Sequence, residues 1–177
     1  MNTEALNQLV RVLNQVQNTA ELLASFSLSD WMDTNDIKAE RAEDILKETP
    51  HTMEYITIPH KCGATACAVG YAGLDPWFRA RGFETSIYGD LQYTYTLQEG
   101  GTQSEYNWAA PMKFFDLAEH EAHYLFFDAN YRDQAVDGKV EPLVVANRIK
   151  EFIRIGGVPE GVTVYGLYHE FDEPTLD

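Results

Sequence analysis

The chain has 177 residues, 45% of them hydrophobic and 12% aromatic, enough for one domain with a substantial core and unlike the composition of a disordered chain. It carries 28 Asp and Glu against 13 Lys and Arg, a formal charge of −15 with a pI near 4.6, which opposes direct gripping of nucleic-acid phosphates. No apolar run approaches the roughly 18 residues of a membrane span, no basic-then-apolar leader is present, and two cysteines cannot build a disulfide framework, so a cytoplasmic protein without membrane contact is expected.

Leu6, Leu9, Val10, Leu13, Val16, Ala20, Leu23 and Phe26 recur in steps of three and four among Asn, Gln and Thr, which predicts an amphipathic helix capped by Thr3. Ser27 to Trp31 interrupts it, and Thr34-Asn35-Asp36 opens a second periodic run through Ile37, Ala42, Ile45 and Leu46 that Pro50 ends. Met53 to Ile58 reads as a short strand before Pro59. Further on, Phe83 to Tyr88 and the alternating Leu91, Tyr93, Tyr95 and Leu97 flank Gly89-Asp90. Its leading glycine suits a two-residue type II′ turn, so a hairpin is expected.

After the Gly100-Gly101 break, residues 107–115 read as helix, and Asp116 to Glu119 has capping-box spacing ahead of another helix with Ala122, Leu125 and Phe126. Pro142 after Glu141 starts a last helix, with Val145, Ile149, Phe152 and Ile153 on one face and Gly156-Gly157 as its stop. Val162 to Leu167 reads as a strand before an acidic tail holding Glu170, Asp172, Glu173 and Asp177. The expected class is therefore α+β, mostly helical with a small antiparallel hairpin or sheet. With no linker and no internal repeat, 1–177 is taken as a single acidic domain. It comprises a helical part over 1–50, a core over 51–168 and a tail over 169–177.

The most unusual stretch is His60-Lys61-Cys62-Gly63-Ala64-Thr65-Ala66-Cys67-Ala68-Val69-Gly70-Tyr71-Ala72-Gly73. Gly70 and Gly73 inside a helix each forgo about 1 kcal/mol of propensity relative to alanine. Close approach of a neighbouring backbone is the compensation expected, which makes this the central buried helix.

The same stretch carries a resemblance. Cys62-Gly63-x-x-x-Cys67-x-x-Gly70 is preceded by Phe26-x-Leu28-x-x-Trp31 and followed by Phe114-Phe115-x-Leu117 and Glu121-Ala122-x-x-Leu125-Phe126. Over residues 26–155 this resembles a widespread, mostly uncharacterised family of small bacterial and phage proteins with a Cys-Gly-Thr-x-x-Cys-x-x-Gly core. The resemblance implies a fold and a phage or mobile-element provenance, but no reaction. The chain departs from it in Ala64, in an inserted helix before the motif and in the Tyr-rich hairpin.

Several chemistries can be weighed on these residues. A thiolate at Cys62 or Cys67 near a helix start, with His60, or else His120 or His123, as base, would make a cysteine-dependent enzyme, although free cysteine is more often a small buried hydrophobe. Cys62, Cys67, His120 and His123 would make a zinc-binding regulator; the two histidines, three apart, share a helix face, but neither Cys-x-x-Cys nor His-Glu-x-x-His occurs. No phosphate-cradling glycine motif is present, and no cofactor is expected.

The charge offers the strongest reading. A magnitude of about 2–8 is ample for the solubility of a small domain, and −15 goes well beyond it. An acidic surface that imitates nucleic acid would engage a host protein with a basic surface and inhibit a host-defence or nucleic-acid-processing enzyme in the host cytoplasm. Asp36, Glu40, Glu43 and Asp44, with Tyr93 and Tyr95 from the hairpin, are the expected partner-binding residues, and no catalytic residue is assigned.

Overall fold

The computed structural model describes residues 1–28, 32–33, 65–85 and 90–166. The expected helix after Thr34, the strand at Met53 to Ile58, Gly89, Leu167 and the acidic tail lie outside the described residues.

Helix α1 (Thr3–Asn18) starts one residue earlier than its sequence cap implied. The Asn2 side chain, not Thr3, accepts from the Ala5 amide at 3.1 Å. Its apolar stripe, Ala5, Leu6, Leu9, Val10, Val12, Leu13 and Val16, is buried, while the Asn and Gln side chains face outward or the margins. The helix does not run on to Phe26. Thr19 takes an extended conformation, so a separate short helix α2 (Ala20–Ala24) follows and buries Leu22.

Strand β1 (Met32–Asp33) pairs antiparallel with β2 (Thr65–Ala66), in the register Met32 to Ala66. Ala66 also bridges to Phe26 in the parallel sense, through Ser27 N–H to Ala66 O at 3.1 Å and Ala66 N–H to Ser25 O at 3.0 Å. These ties deliver the chain into α3 (Ala68–Leu74), in which every residue is buried, as a central glycine-bearing helix should be. Asp75 then caps the short α4 (Pro76–Arg79) by accepting from Trp77 N–H at 2.9 Å, with Pro76 in the first helical turn.

The three-stranded antiparallel sheet has the order β3 (Phe83–Thr85), β4 (Leu91–Thr96), β5 (Thr102–Tyr106). The hairpin between β3 and β4 exists, but a two-residue turn at Gly89-Asp90 does not fit it. Phe83 faces Tyr93 and Thr85 faces Leu91, leaving residues 86–90 between the paired positions. Gly100 and Gly101, both with positive φ, form the β4–β5 turn rather than a break before a helix, and β5 itself was not anticipated.

Helix α5 (Ala109–Phe115) closes with Asp116 in the left-handed region, φ 52°. Asp116 therefore does not cap α6 (Glu119–Phe126) as the spacing suggested. It binds the Met1 ammonium at 2.8 Å instead, and Glu121 reaches back to Ala118 N–H at 2.8 Å at the start of α6. A 3₁₀ helix (Asp128–Gln134) leads to α7 (Pro142–Ile155), which begins at Pro142, ends at Gly156 (φ 81°) and packs along α1.

The chain from Val162 to Gly166 forms no strand. The Asn130 side chain anchors it, accepting from Tyr165 N–H at 2.8 Å and donating to the carbonyls of Tyr165 and His123 at 3.2 and 2.9 Å. The class is α+β, mostly helical, one domain with one core. An aromatic cluster of Phe78, Phe83, Phe114, Phe115 and Phe126 joins sheet to helices.

Candidate functional site

Cys67 is 2% exposed and stands at the N-cap of α3, its Sγ accepting from Gly70 N–H at 3.4 Å. In this role the sulfur replaces the usual hydroxyl or carboxylate cap in an apolar setting, where a weak acceptor is easier to desolvate than a charged one. One turn on, the buried Tyr71 hydroxyl donates to Leu22 O at 2.9 Å, tying α3 to α2. Burial, and secondarily the adjacent Cys67 sulfur, pushes the Tyr71 phenol far above its ordinary value, so it serves as a donor and not as an acid near neutral pH. Cys62 and His60, the other thiol and the base of the enzyme reading, lie outside the described residues.

The glycines of the motif have a geometric reason. Thr85 Oγ1 donates to Gly70 O at 3.2 Å, and a Cβ placed on Gly73 would collide with Thr85 Oγ1 and Thr85 N and lie 2.8 Å from the Glu84 carbonyl carbon. Strand β3 thus lies directly on the helix backbone.

The two histidines of the zinc reading are separated by the fold. His120 is exposed in the first turn of α6, whereas His123 is 3% exposed. Burial rises along α6, from exposed Glu119 and His120 to Ala122 through Phe126 buried in succession, so the two side chains stand in different surroundings. Among the described residues no three His, Cys, Asp or Glu side chains gather as a metal site would require.

His123 instead stacks on Trp108 (centroids 4.3 Å apart) and lies 5.7 Å from the Phe127 ring, its Nδ1 buried without a hydrogen bond. Burial pushes its pKa below the ordinary imidazole value, against the opposing pull of Glu119 and of the backbone at Tyr165 and Gly166. Because the unfolded chain then takes up this proton first, stability is full above about pH 6.5 and falls as pH drops through the lower folded value. His123→Phe is expected to remove this part of the acid sensitivity. The check is the difference between urea midpoints at about pH 7.5 and about pH 5.5, either side of the ordinary value; an unchanged difference would refute it.

Tyr93 and Tyr95 do share one face of the sheet, stacked 5.1 Å apart, but that face meets α5. Tyr93 sets its edge on Phe114 at 5.0 Å, while Tyr95 donates to Glu105 at 3.2 Å and lies under Lys113 Nζ at 5.2 Å. Both are half-buried, the commoner use of strand aromatics. The opposite face presents a hydrogen-bonded polar set, Gln92, Thr94 and Ser104. Asp36, Glu40, Glu43 and Asp44 lie outside the described residues.

Sequence reasoning missed a cationic place in this anionic protein. Arg132 and Arg148, sixteen positions apart on the 3₁₀ helix and α7, line one cavity of about 410 Å³, closed on another side by Val162 to Tyr165. Arg132 also borders a second cavity of about 510 Å³ that carries Lys139 and Asp128. The only available signal was Arg148 at the margin of the buried Val145, Ile149 and Phe152 stripe. No family model, curated protein or solved structure matches the chain.

Proposed function

We propose that this protein acts without catalysis, as a protein-binding accessory factor of phage or mobile-element type. Its anionic exterior would engage a basic surface on a host protein and inhibit a defence or nucleic-acid-processing enzyme by imitating rows of phosphates. The observation that carries the reading is unneutralised charge at the surface. Glu21, Glu99, Glu119, Asp133, Asp137, Glu141 and Glu160 are exposed and form no ion pair among the described residues. Charges left in water keep their field, which steers association with a cationic patch and is screened by salt. Cys67 supports the same reading from the inside, since its sulfur is buried and already engaged as a helix cap.

The experiment is capture of a partner from bacterial host lysate on the immobilised full chain, at low and at high salt. Capture is expected at low salt and lost at high salt. Reversal of Asp36, Glu40, Glu43 and Asp44 to lysine is expected to abolish it without loss of helical circular dichroism. Cys67→Ala is expected to leave it intact. A partner held equally at both salt concentrations and by the reversed variant, or one lost from a folded Cys67→Ala protein, would overturn the proposal and favour thiol or metal chemistry.

A further inference from the structure

The cavity at Arg132 and Arg148 has the chemistry of a binding site that the acidic exterior does not explain. It sits where α6, the 3₁₀ helix, α7 and the anchored Val162–Tyr165 segment converge, and its volume of about 410 Å³ falls within the range of small-molecule sites. Arg148 is half-buried and held in a fixed pose. Its guanidinium carbon lies 3.6 Å over the Tyr131 ring and 4.9 Å from the centre of the Tyr124 ring, while Nη1 donates to Tyr124 O at 3.0 Å. Tyr131 is fully buried and hydrogen-bonded to Leu125 O, so the platform beneath the guanidinium is part of the core.

A guanidinium has five N–H donors; among the described residues Arg148 gives one to the Tyr124 carbonyl, engages the Tyr131 hydroxyl with another, and gives none to a carboxylate. Arg132 forms no ion pair there either. With no carboxylate partner among the described residues, both guanidinium groups keep their charge available to an anion entering the cavity. Among the described residues Asp133 is the one acid lining the cavity, which leaves their local balance cationic; Gln134 and Thr163 add neutral hydrogen-bonding groups.

We propose that this cavity binds a small-molecule oxyanion, a carboxylate or a phosphate. Arg148 would provide the planar, preorganised fork and Arg132 the second, exposed cation. The stacked pose matters because a guanidinium already immobilised on two tyrosines loses little further freedom when an anion binds. The site is independent of the protein-binding reading: it would stand if no basic partner were found.

The test is titration of the full chain with sodium phosphate and, separately, with sodium succinate, at constant ionic strength held with sodium chloride. Calorimetry and the arginine Nε–Hε signals in NMR would report binding. Saturable binding of either anion is expected, and whichever binds tighter tells a phosphate site from a carboxylate site. Arg148→Gln and Arg132→Gln are each expected to weaken it by about tenfold or more, the scale of one charge-assisted hydrogen bond. Arg11→Gln, which removes the same charge from the exposed side of α1, should leave it unchanged. Arg132 is exposed, so its variant keeps the test decisive if Arg148→Gln proves unstable. Failure of both anions to saturate, or an equal loss in Arg11→Gln, would overturn the proposal.

Discussion

Gly73→Ala is expected to destabilise the protein by about 1–5 kcal/mol, although alanine is the better helix former by about 1 kcal/mol. The sign is decided by contact. The added methyl group would overlap Thr85 Oγ1 and Thr85 N and come within 2.8 Å of the Glu84 carbonyl carbon, so a flexible side chain cannot simply swing aside; a strand backbone must move. Overpacking of this kind costs about 1–3 kcal/mol, and displacing Thr85 breaks its buried bond to Gly70 O, leaving an orphaned group worth about 1–3 kcal/mol more. Set against a total stability of about 5–15 kcal/mol, such a loss is a sizeable fraction of the folding free energy. Urea denaturation measures it. Adding Thr85→Ala should rescue only part, since the Thr85 amide and Glu84 carbonyl carbon stay in place; an alanine variant as stable as the parent would refute the packing account.

Phe115→Ala is expected to lose about 3–5 kcal/mol, the usual cost of removing a large buried aromatic. Phe115 is fully buried and its ring touches four others, with centroids at 5.9 Å from Phe78, 5.7 Å from Phe83, 5.3 Å from Phe114 and 5.6 Å from Phe126. Those neighbours come from α4, β3, α5 and α6, so the cavity would open where helices and sheet join and none of them alone can collapse into it. Its backbone carbonyl also accepts from Asn2 N–H at 2.7 Å, which couples the start of α1 to the same place. Tyr106→Ala, at a residue 54% exposed on β5, serves as the comparison and should change stability by no more than about 0.5 kcal/mol. Equal losses at the two positions would mean that the aromatic cluster is not the core.

The long helices were legible by their apolar stripes, and α7 also by its stop, whereas the break of α1 at Thr19 was not read. The apolar spacing of α1 and the Pro142 and Gly156 boundaries of α7 are local signals that tertiary structure had no reason to override. Gly73 was legible for a similar reason, as a propensity cost that demanded a close neighbour. Strand β5 was not, since Thr-Gln-Ser-Glu-Tyr has no apolar alternation and is held by its ladder to β4. The β3–β4 register escaped because Gly89-Asp90 suits a tight turn, yet Phe83 must face the cluster formed with Phe78, Phe114 and Phe115. At the site level, the depth of His123 depends on how α6 enters the core. The Arg132 and Arg148 cavity depends on three separate segments meeting, which no spacing within one element encodes.

The outermost position of β5 has a consequence for how copies of the molecule meet at high concentration. Strand edges invite growth into fibrils, and many proteins block them with bulges or prolines. Here the terminal strand offers no aliphatic side chain and carries Glu105 near its end, in a molecule whose like charge already keeps copies apart. The border is guarded chemically rather than sterically, and neutralising the protein's acids would weaken that guard.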